Sequence, residues 1–361
     1  MFSSTDHSYM AQALRLAEKG LYSTSPNPRV GCVLVHDARI VASGWHRRAG
    51  EPHAEINALN AAGPAARGAT AYLTLEPCNH HGRTPPCADA LIKAGVAKVI
   101  IAMQDPNPLV SGRGIGRLKE AGIEVRSGLM EAEAKALNIG FIARMTRGRP
   151  WVRMKIAASL DGKTALNNGL SQWITSEAAR RDAHRLRARS CAVMTGIGTV
   201  LADNPQLTVR GLSTPRQPLR MVVDSRLDIP VDARLLRGDG ELIFTASASE
   251  GKIGALRDVA ARVIVLMGGN GSVDLAAMMQ MLADFEINEV LVEAGRGLNG
   301  ALAAAGLVDE LVIYVAPYLM GDSARGMFKL PELTNLAEKH ALEIQDVRAV
   351  GQDIRITARL S

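Results

Sequence analysis

The sequence predicts an α/β protein made of two domains, and three observations support this prediction. The chain has 361 residues, which is more than one ordinary domain holds. Short apolar stretches typical of strands alternate with amphipathic stretches typical of helices along the whole chain. A basic Thr-Arg-Gly-Arg-Pro segment at 146–150 interrupts this alternation and is the predicted linker. We therefore expect one domain at 1–148 and a second at 149–361.

The elements of the first domain follow from the spacing of its apolar residues. Met10, Leu14, Ala17 and Leu21 fall on one side of a predicted helix at 8–22. Further helices are predicted at 54–62, 88–94, 116–121 and 131–144. Strands are predicted at 30–36, 40–44, 71–75, 99–103 and 123–127.

The second domain shows the same alternation. Strands are predicted at 152–157, 191–195, 219–224, 242–245, 262–266, 289–292 and 311–315, and helices at 177–187, 275–285 and 299–304. The last stretch, 342–358, alternates like a closing pair of antiparallel strands.

Composition limits the classes of function. A hydrophobic content of 47% and a charged content of 22% are typical of a soluble globular protein. The net charge of +6 is scattered, which fits either a solvated surface or a protein that binds an anionic small molecule. Aromatic residues make up only 4%, so a nucleic-acid-binding surface is not expected. No signal peptide or membrane-spanning stretch is evident, and we expect a cytoplasmic homo-oligomer without membrane partners.

Two short segments together predict a catalytic zinc site. One is His53-Ala54-Glu55, and the other runs from Pro77-Cys78 to Pro86-Cys87. One His and two Cys give three protein ligands, and a catalytic zinc keeps its fourth position open for water. The predicted helix at 54–62 starts directly after His53, and Cys87 directly precedes the predicted helix at 88–94. Both thiolates would gain from the positive end of a helix.

Glu55 has the position of a proton carrier in this site. In zinc deaminases a Glu two residues after the His ligand is the general acid/base and does not bind the metal. It would take a proton from the attacking water and deliver it to the ring nitrogen and the leaving amine. The motif therefore indicates hydrolytic deamination with one zinc ion per chain.

Other interpretations of the motif stay open at this point. The His and the two Cys could be unrelated buried residues, or His80 or His81 could complete a structural four-ligand site. The spacing also differs from the usual deaminase signature, in which only two residues separate the Cys pair. A deaminase acting on nucleic acid and a non-catalytic zinc scaffold are the rival functions.

The long loop carries a resemblance to a known family. PCNHHGRTPPC, SPNPRVG and HAE resemble the bifunctional deaminase/reductase of riboflavin biosynthesis. MKIAASLDGKTA, SQWIT, TVLADNPQLTVR and VEAGRGLNGAL extend the resemblance through the second half. It implies an N-terminal cytidine-deaminase-like three-layer α/β/α domain and a C-terminal dihydrofolate-reductase-like α/β domain. The implied reactions are zinc-dependent deamination of 2,5-diamino-6-ribosylamino-4(3H)-pyrimidinone 5′-phosphate, followed by NADPH-dependent reduction of the ribosyl side chain to the ribityl chain.

The resemblance also implies site residues. It assigns zinc binding to His53, Cys78 and Cys87, and proton transfer to Glu55. It assigns binding of the pyrimidine and its phosphate to Asn27, His46, His80 and Arg83, and a Lys is common at the position of Arg83. NADPH contacts fall on Ala157, Trp173, Thr199, Asp203, Ser225, Gly295, Arg296, Gly297, Leu298, Asn299, Gly300 and Ala301. Contacts with the reductase substrate fall on Ser171, Arg187, Leu207, Arg210 and Glu293.

The residues themselves support part of this assignment. The glycine turn at 295–300 follows a predicted strand and opens a helix, as diphosphate-binding turns do, although a plain strand-to-helix turn explains it as well. No acidic residue follows at the usual NAD-selecting distance, so a Rossmann domain is not expected. Arg187 and Arg210 are candidates for the substrate phosphate, and Ser225 and Arg226 for the 2′-phosphate of NADPH.

Two further residues of the second half have two possible roles each. Lys155 and Asp161 would either shape the floor of the reductase site or form a structural ion pair with each other. No residue stands out as the proton donor of the reduction.

Overall fold

The computed structural model describes residues 1–79, 86–108, 110–238 and 240–360. The chain falls into two compact units, Met1–Gly148 and Arg149–Ser361. Both are α/β, as the sequence predicts.

The first unit is built on a five-stranded sheet. Its strands are β1 (Gly31–His36), β2 (Arg39–Trp45), β3 (Thr70–Leu75), β4 (Lys98–Met103) and β5 (Glu124–Ser127). They lie in the order β2-β1-β3-β4-β5, with β1 antiparallel to both β2 and β3, and with β3, β4 and β5 parallel. The carboxyl ends of β3 and β4 therefore meet at one edge of the sheet, where Cys78 follows β3.

The described residues of this unit also form the α-helices α1 (Ser4–Glu18), α2 (Ala54–Ala62), α3 (Cys87–Ala94), α4 (Arg113–Glu120), α5 (Glu131–Leu137) and α6 (Ile139–Arg147). Helix α1 buries Met10, Ala13, Leu14 and Ala17, which recur at helical spacing. It starts earlier than predicted because Ser3 and Asp6 form a capping box that sets its first turn. It ends at Glu18, four residues before the predicted end. Helix α2 has the predicted bounds.

The predicted single helix at 131–144 is wrong, because Asn138 divides it into α5 and α6. The Asn138 side chain is 1% exposed, and its Oδ1 accepts a hydrogen bond from the Arg29 N–H at 2.8 Å. Its Nδ2 donates to the Arg29 carbonyl at 3.0 Å. The residue has φ −108° and ψ 21°, outside the helical region. A tertiary contact thus overrides the local helical pattern.

The second unit contains a nine-stranded sheet. Its strands are β6 (Trp151–Ser159), β8 (Ala192–Gly196), β9 (Leu219–Val223), β10 (Leu242–Thr245), β11 (Arg262–Val265), β12 (Glu289–Val292), β13 (Glu310–Ala316), β15 (Leu342–Val350) and β16 (Asp353–Leu360). They lie in the order β11-β10-β9-β8-β12-β6-β13-β16-β15. The strands from β11 to β13 in this order are parallel, β16 is antiparallel to β13, and β15 is antiparallel to β16.

The helices of this unit are α7 (Glu177–Arg189), α8 (Ile197–Asp203), α9 (Glu250–Asp258), α10 (Leu275–Asp284) and α11 (Arg296–Ala304). A small separate sheet pairs β7 (Lys163–Ala165) with β14 (Arg325–Gly326). The sequence did not predict α8, α9, β7 or β14, which are short elements with weak periodicity. None of the helices in the described part of the chain has the length and apolar character needed to cross a bilayer.

Candidate active sites

The first unit brings one His and two Cys together. His53 is the N-cap of α2, Cys78 follows β3, and Cys87 is the first residue of α3. The Nδ1 of His53 lies 3.2 Å from the Sγ of Cys87 and 3.7 Å from the Sγ of Cys78. All three ligand atoms lie within 4.8 Å of one another.

This geometry fits zinc. With Zn–N bonds of about 2.0–2.1 Å and Zn–S bonds of about 2.3 Å, the ligand atoms of a tetrahedral site are roughly 3.5 Å apart. The observed 3.2 and 3.7 Å separations lie on either side of that value. Three protein donors leave one position for water, which is the arrangement of a catalytic site.

The two thiols differ in acidity because they contact each other. A hydrogen bond with Cys87, together with His53 and the Cys87 backbone N–H, lowers the pKa of Cys78 to about 4. The same contact with Cys78, with burial, raises the pKa of Cys87. A bound cation favours ionisation of both thiols.

Glu55 lies beside this cluster and away from water. Its side chain is 3% exposed, on the first turn of α2. Burial is the main cause that raises the pKa of Glu55 to about 7, against the opposing effect of His53. A carboxyl group that titrates near neutral pH can both accept and return a proton, as a general acid/base must.

Asn27 and His46 form a hydrogen-bonded pair next to the metal ligands. The Nδ2 of Asn27 lies 3.0 Å from the Nε2 of His46, whose Nδ1 lies 3.2 Å from the Pro52 carbonyl. The carbonyl must accept, so His46 carries its proton on Nδ1 and accepts from Asn27 on Nε2. Burial disfavours the charged ring and lowers the pKa of His46. The ring also lies edge-on to His53 at 5.3 Å.

His80 and Arg83, the other two predicted residues of this pocket, lie outside the described residues. The contact between the Asn27 amide nitrogen and His46 fixes the orientation of the Asn27 side chain.

Glu76 holds the loop that carries Cys78. The Glu76 side chain is 2% exposed, and its two oxygens accept four backbone N–H groups at 3.0–3.1 Å: those of Asp105, Gly112, Gly114 and Ile115. A buried carboxylate with four donors fixes both the end of β3 and the start of α4. The predicted strand at 71–75 ends directly before Glu76, whose role no sequence pattern indicates.

The second unit contains a cavity of about 1420 Å³. This exceeds the roughly 300–1,000 Å³ of ordinary ligand pockets, so the volume suits a dinucleotide together with a second ligand. The predicted cofactor residues that line it are Ala157, Trp173, Thr199, Asp203, Ser225, Gly295, Arg296, Gly297, Leu298 and Ala301. The predicted substrate residues that line it are Ser171, Arg187, Leu207, Arg210 and Glu293.

Of the glycine turn at 295–300, only residues 295–298 border the cavity. Gly295 is the N-cap of α11, and a side chain at Gly297 would meet no atom within 4 Å, so the first turn of the helix is open to a ligand. The N–H groups of that turn suit a diphosphate. Asn299 and Gly300 do not line the cavity. Asn299 is 2% exposed and donates to the Met327 carbonyl, and Gly300 faces the backbone of Lys329.

Arg187 and Glu293 form an ion pair on the cavity wall. The Nε and Nη2 of Arg187 donate to the two oxygens of Glu293 at 2.5 and 3.0 Å, and its Nη1 donates to the Thr208 carbonyl at 2.9 Å. Burial alone would raise the pKa of Glu293, but Arg187 and Lys155 outweigh it and lower that pKa to about 2. In the structure the guanidinium of Arg187 therefore binds Glu293, whereas the sequence indicates a phosphate as its partner.

The interpretation of Lys155 and Asp161 as an ion pair is wrong. The Nζ of Lys155 lies 3.6 Å from Oε2 of Glu293 and lines the cavity. Asp161 instead accepts the backbone N–H groups of Met320 and Gly321 at 3.0 and 2.8 Å. Lys155 and Glu293 come from adjacent strands, since β6 pairs with β12 and Glu293 directly follows β12.

The candidate residues for the 2′-phosphate lie at one end of the cavity. Ser225 and Arg226 both line it, and the Oγ of Ser225 accepts the Val273 N–H at 3.2 Å. The Arg226 side chain is 84% exposed and pairs with Asp228 at 3.0 Å. A surface pair of this kind is weak, so Arg226 is available to an incoming anion.

His184 is a cavity residue that the sequence analysis missed. It lines the cavity beside Arg187 and Arg210. Its position three residues before Arg187 in a predicted helix was the available signal, but the basic run around it resembles a solvated helix face.

Comparisons with known proteins agree with the two sites. Residues 3–103 match the family described as the cytidine and deoxycytidylate deaminase zinc-binding region, and residues 150–356 match the RibD C-terminal domain. The riboflavin biosynthesis protein RibD of Escherichia coli is 49% identical over 97% of this chain and 98% of its own length. The Haemophilus influenzae protein of the same name is 45% identical over 99% and 98%.

Solved structures match over the whole chain. Acinetobacter baumannii RibD (form 1) superposes with a TM-score of 0.92 at 45% identity, covering 99% of both chains. A Thermotoga maritima diaminohydroxyphosphoribosylaminopyrimidine deaminase/5-amino-6-(5-phosphoribosylamino)uracil reductase does so with a TM-score of 0.89 at 33% identity, again covering 99% of both.

Fold, sites and matches together define an enzyme that joins a zinc-binding deaminase to a reductase. Zinc and NADPH are the cofactors of these two activities. The chain belongs to the RibD family, the bifunctional deaminase/reductases of riboflavin biosynthesis.

Proposed function

We propose that the unit at 1–148 deaminates 2,5-diamino-6-ribosylamino-4(3H)-pyrimidinone 5′-phosphate. We further propose that the unit at 149–361 reduces the ribosyl side chain of the product to give 5-amino-6-(5-phosphoribitylamino)uracil. The observation that carries the first assignment is the convergence of His53, Cys78 and Cys87 beside the buried Glu55. The second rests on the cavity that collects the predicted cofactor and substrate residues in one space.

In the deaminase unit, His53, Cys78 and Cys87 would hold zinc, which when bound makes water a better nucleophile at neutral pH. Glu55 would take the proton released by that water and carry it to the ring nitrogen and then to the departing amine. Its burial suits this role, because a carboxylate shielded from solvent exchanges its proton with the ligand in the pocket. Asn27, held by His46, would orient the pyrimidine, and His80 and Arg83 are proposed for the same pocket.

In the reductase unit, the first turn of α11 at Gly295–Gly297 would hold the cofactor diphosphate. NADPH supplies the hydride. The chain's own contribution is to hold the two ligands in contact, since positioning is the main effect a protein can add to hydride transfer. Lys155 and Glu293 would face the ribosyl group from the centre of the sheet, and Arg210 would face its phosphate.

The direct test is to incubate the purified protein with the diaminopyrimidinone phosphate and to follow the products by mass. Without NADPH, the product should differ from the substrate only by replacement of the amino group by oxygen. With NADPH, a further two hydrogens should appear. An unchanged substrate with the zinc-loaded protein would contradict the proposal for the first unit, and lack of the second change would contradict that for the second.

We also propose that the protein is a cytoplasmic homo-oligomer. The support for assembly is an exposed apolar surface on the antiparallel edge of the nine-stranded sheet. Leu342, Ile344, Val347 and Ile354 are 46, 64, 57 and 45% exposed, on paired strands β15 and β16. A contiguous surface of this kind is typical of a protein interface. Sedimentation of the purified protein tests this, and a monomer at micromolar concentration would contradict it.

A further inference from the structure

One side of α7 lines the reductase cavity. Arg180, Ala183, His184 and Arg187 all border it, and their spacing of three, one and three residues places them on one face of a helix. Arg180 already has partners, because it donates to the Thr175 carbonyl at 2.6 Å and its guanidinium lies 4.6 Å from the centre of the Trp173 ring. His184 is the member of this face with an imidazole, and neither proposed reaction uses it.

A backbone contact fixes the tautomer of His184. The N–H of Arg210 donates to the Nδ1 of His184 at 3.2 Å. A backbone N–H can only donate, so Nδ1 must be unprotonated and the ring proton must be on Nε2. If Nδ1 were protonated, its N–H and the backbone N–H of Arg210 would be two donors facing each other without an acceptor. His184 therefore offers a single N–H donor from its Nε2.

The charges around His184 keep the ring neutral. Burial is the main cause that lowers the pKa of His184 to about 4, and Arg187, Arg210 and Lys155 add to it against the opposing effect of Glu293. Two of the three cations, Arg187 and Lys155, are already paired with Glu293. Arg210 instead donates to the neutral oxygens of Gln206 and Thr208, at 3.2 and 3.5 Å.

This arrangement is complementary to an anion with several acceptor oxygens. Arg210 brings a guanidinium whose described hydrogen bonds include no carboxylate, and His184, tied to the backbone of the same residue, brings a neutral donor. Phosphate oxygens accept several hydrogen bonds at once, and they prefer a planar guanidinium among their donors. The guanidinium of Arg187 is held by Glu293, whereas the Nε2–H of His184 has no partner among the described contacts.

We infer that His184 is a substrate ligand of the reductase, whose Nε2–H donates to the 5′-phosphate of the ribosyl substrate beside Arg210. This inference rests on the function proposed for the second unit. A hydrogen bond to a charged group corresponds to roughly a ten- to hundredfold change in affinity.

Two substitutions separate this role from a structural one. In His184→Asn the amide oxygen takes the place of Nδ1 and keeps the bond from Arg210, but no donor replaces Nε2–H. In His184→Gln the amide nitrogen takes the place of Nε2 and keeps the donor, but the acceptor for the Arg210 N–H is lost. The probe is ribose 5-phosphate as an inhibitor of the reductase at saturating NADPH. The matched control is Arg185→Gln, on the same helix with a side chain that is 69% exposed.

We expect the inhibition constant of ribose 5-phosphate to rise roughly ten- to a hundredfold in His184→Asn and to change less than threefold in His184→Gln and Arg185→Gln. The dissociation constant of NADPH should stay the same in all three variants. If the Gln variant lost ribose 5-phosphate while the Asn variant kept it, His184 would only support the backbone of Arg210, and the inference would be overturned.

If the Asn variant does not fold, the inference still requires that the Gln variant bind ribose 5-phosphate about as tightly as the wild-type protein. Equal loss in both variants with weaker NADPH binding would also overturn the inference, because it would show a general disturbance of the cavity. Failure of the wild-type protein to reduce the deaminated substrate would instead contradict the proposed function itself.

Discussion

Two glycines of α4 provide a paired test of how the zinc loop is held. A Cβ added at Gly114 would lie 2.0 Å from the carbonyl oxygen of Pro77, and ordinary contacts begin near 3.4 Å. The difference, 3.4 − 2.0 = 1.4 Å, must come from movement of backbone, because the contacted atom is a backbone carbonyl oxygen and the Gly114 N–H is itself held by Glu76. A Cβ at Gly116 would meet no atom within 4 Å.

The two Gly→Ala substitutions should therefore have opposite signs. Overpacking costs about 1–3 kcal/mol, so Gly114→Ala should destabilise the first unit by that amount. Gly116→Ala should stabilise it by about 0.5–1 kcal/mol, since alanine loses less entropy than glycine in a helix. For a unit of this size, 1 kcal/mol corresponds to roughly 2–4 °C in Tm.

The assay is differential scanning calorimetry of the full chain, together with the rate at which a chelator removes zinc. Gly114→Ala should lower the Tm of the first unit by roughly 2–12 °C and speed zinc loss, because Pro77 directly precedes Cys78. Gly116→Ala should raise the Tm slightly and leave zinc loss unchanged. Equal shifts in both variants would refute the reasoning, since a Cβ at Gly114 meets the Pro77 backbone and a Cβ at Gly116 meets no atom within 4 Å.

The remaining predictions concern the two active sites. Glu55→Gln should keep zinc but lose about 10²- to 10⁴-fold in deamination rate, measured as product formation; a rate near wild type would exclude Glu55 as the proton carrier. Cys78→Ser, or zinc removal by chelation, should abolish deamination yet spare reduction of the pre-deaminated substrate; a folded variant inactive in both reactions would argue against two separate sites. Replacing Ser225 and Arg226 together with Ala should weaken NADPH binding roughly ten- to a hundredfold and leave NADH nearly unchanged, whereas equal weakening would assign them to the adenine or the fold. Two neighbouring cations outweigh burial and hold the pKa of Glu293 at about 2, below its ordinary 4.5. Glu293 therefore stabilises the folded chain above about pH 4.5, and this stabilisation is lost as the pH falls to 2. Acid unfolding of Glu293→Gln should accordingly depend less steeply on pH in that range, and an unchanged slope would show that the charge is not stabilising.

Features with local causes were predictable from the sequence. The bounds of α2, the strand before Cys78 and the glycine turn before α11 all follow from periodicity and from residues next to one another in the chain. The zinc group was predictable because its three side chains belong to two short segments with a known chemical pattern.

Features set by distant contacts were not predictable. The break at Asn138 depends on the backbone of Arg29, which is 109 residues away in the sequence. The guanidinium of Arg187 pairs with Glu293, which is 106 residues away in the sequence. No local pattern showed that this carboxylate would occupy the hydrogen-bond donors of Arg187. The tautomer of His184 depends on one backbone N–H, that of Arg210, which a pattern of side chains cannot reveal.

The sequence distances within the two sites have a consequence for synthesis of the chain. His53 and Cys87 are separated by only 34 residues, whereas Arg187 must meet Glu293 across 106. Contacts between distant parts of a chain form slowly, and domains of a growing polypeptide fold in order from the N-terminus. The first site can therefore assemble on the ribosome while the strands that complete the second are still untranslated, so that the metal ligands of a newly made chain can come together before its nucleotide site exists.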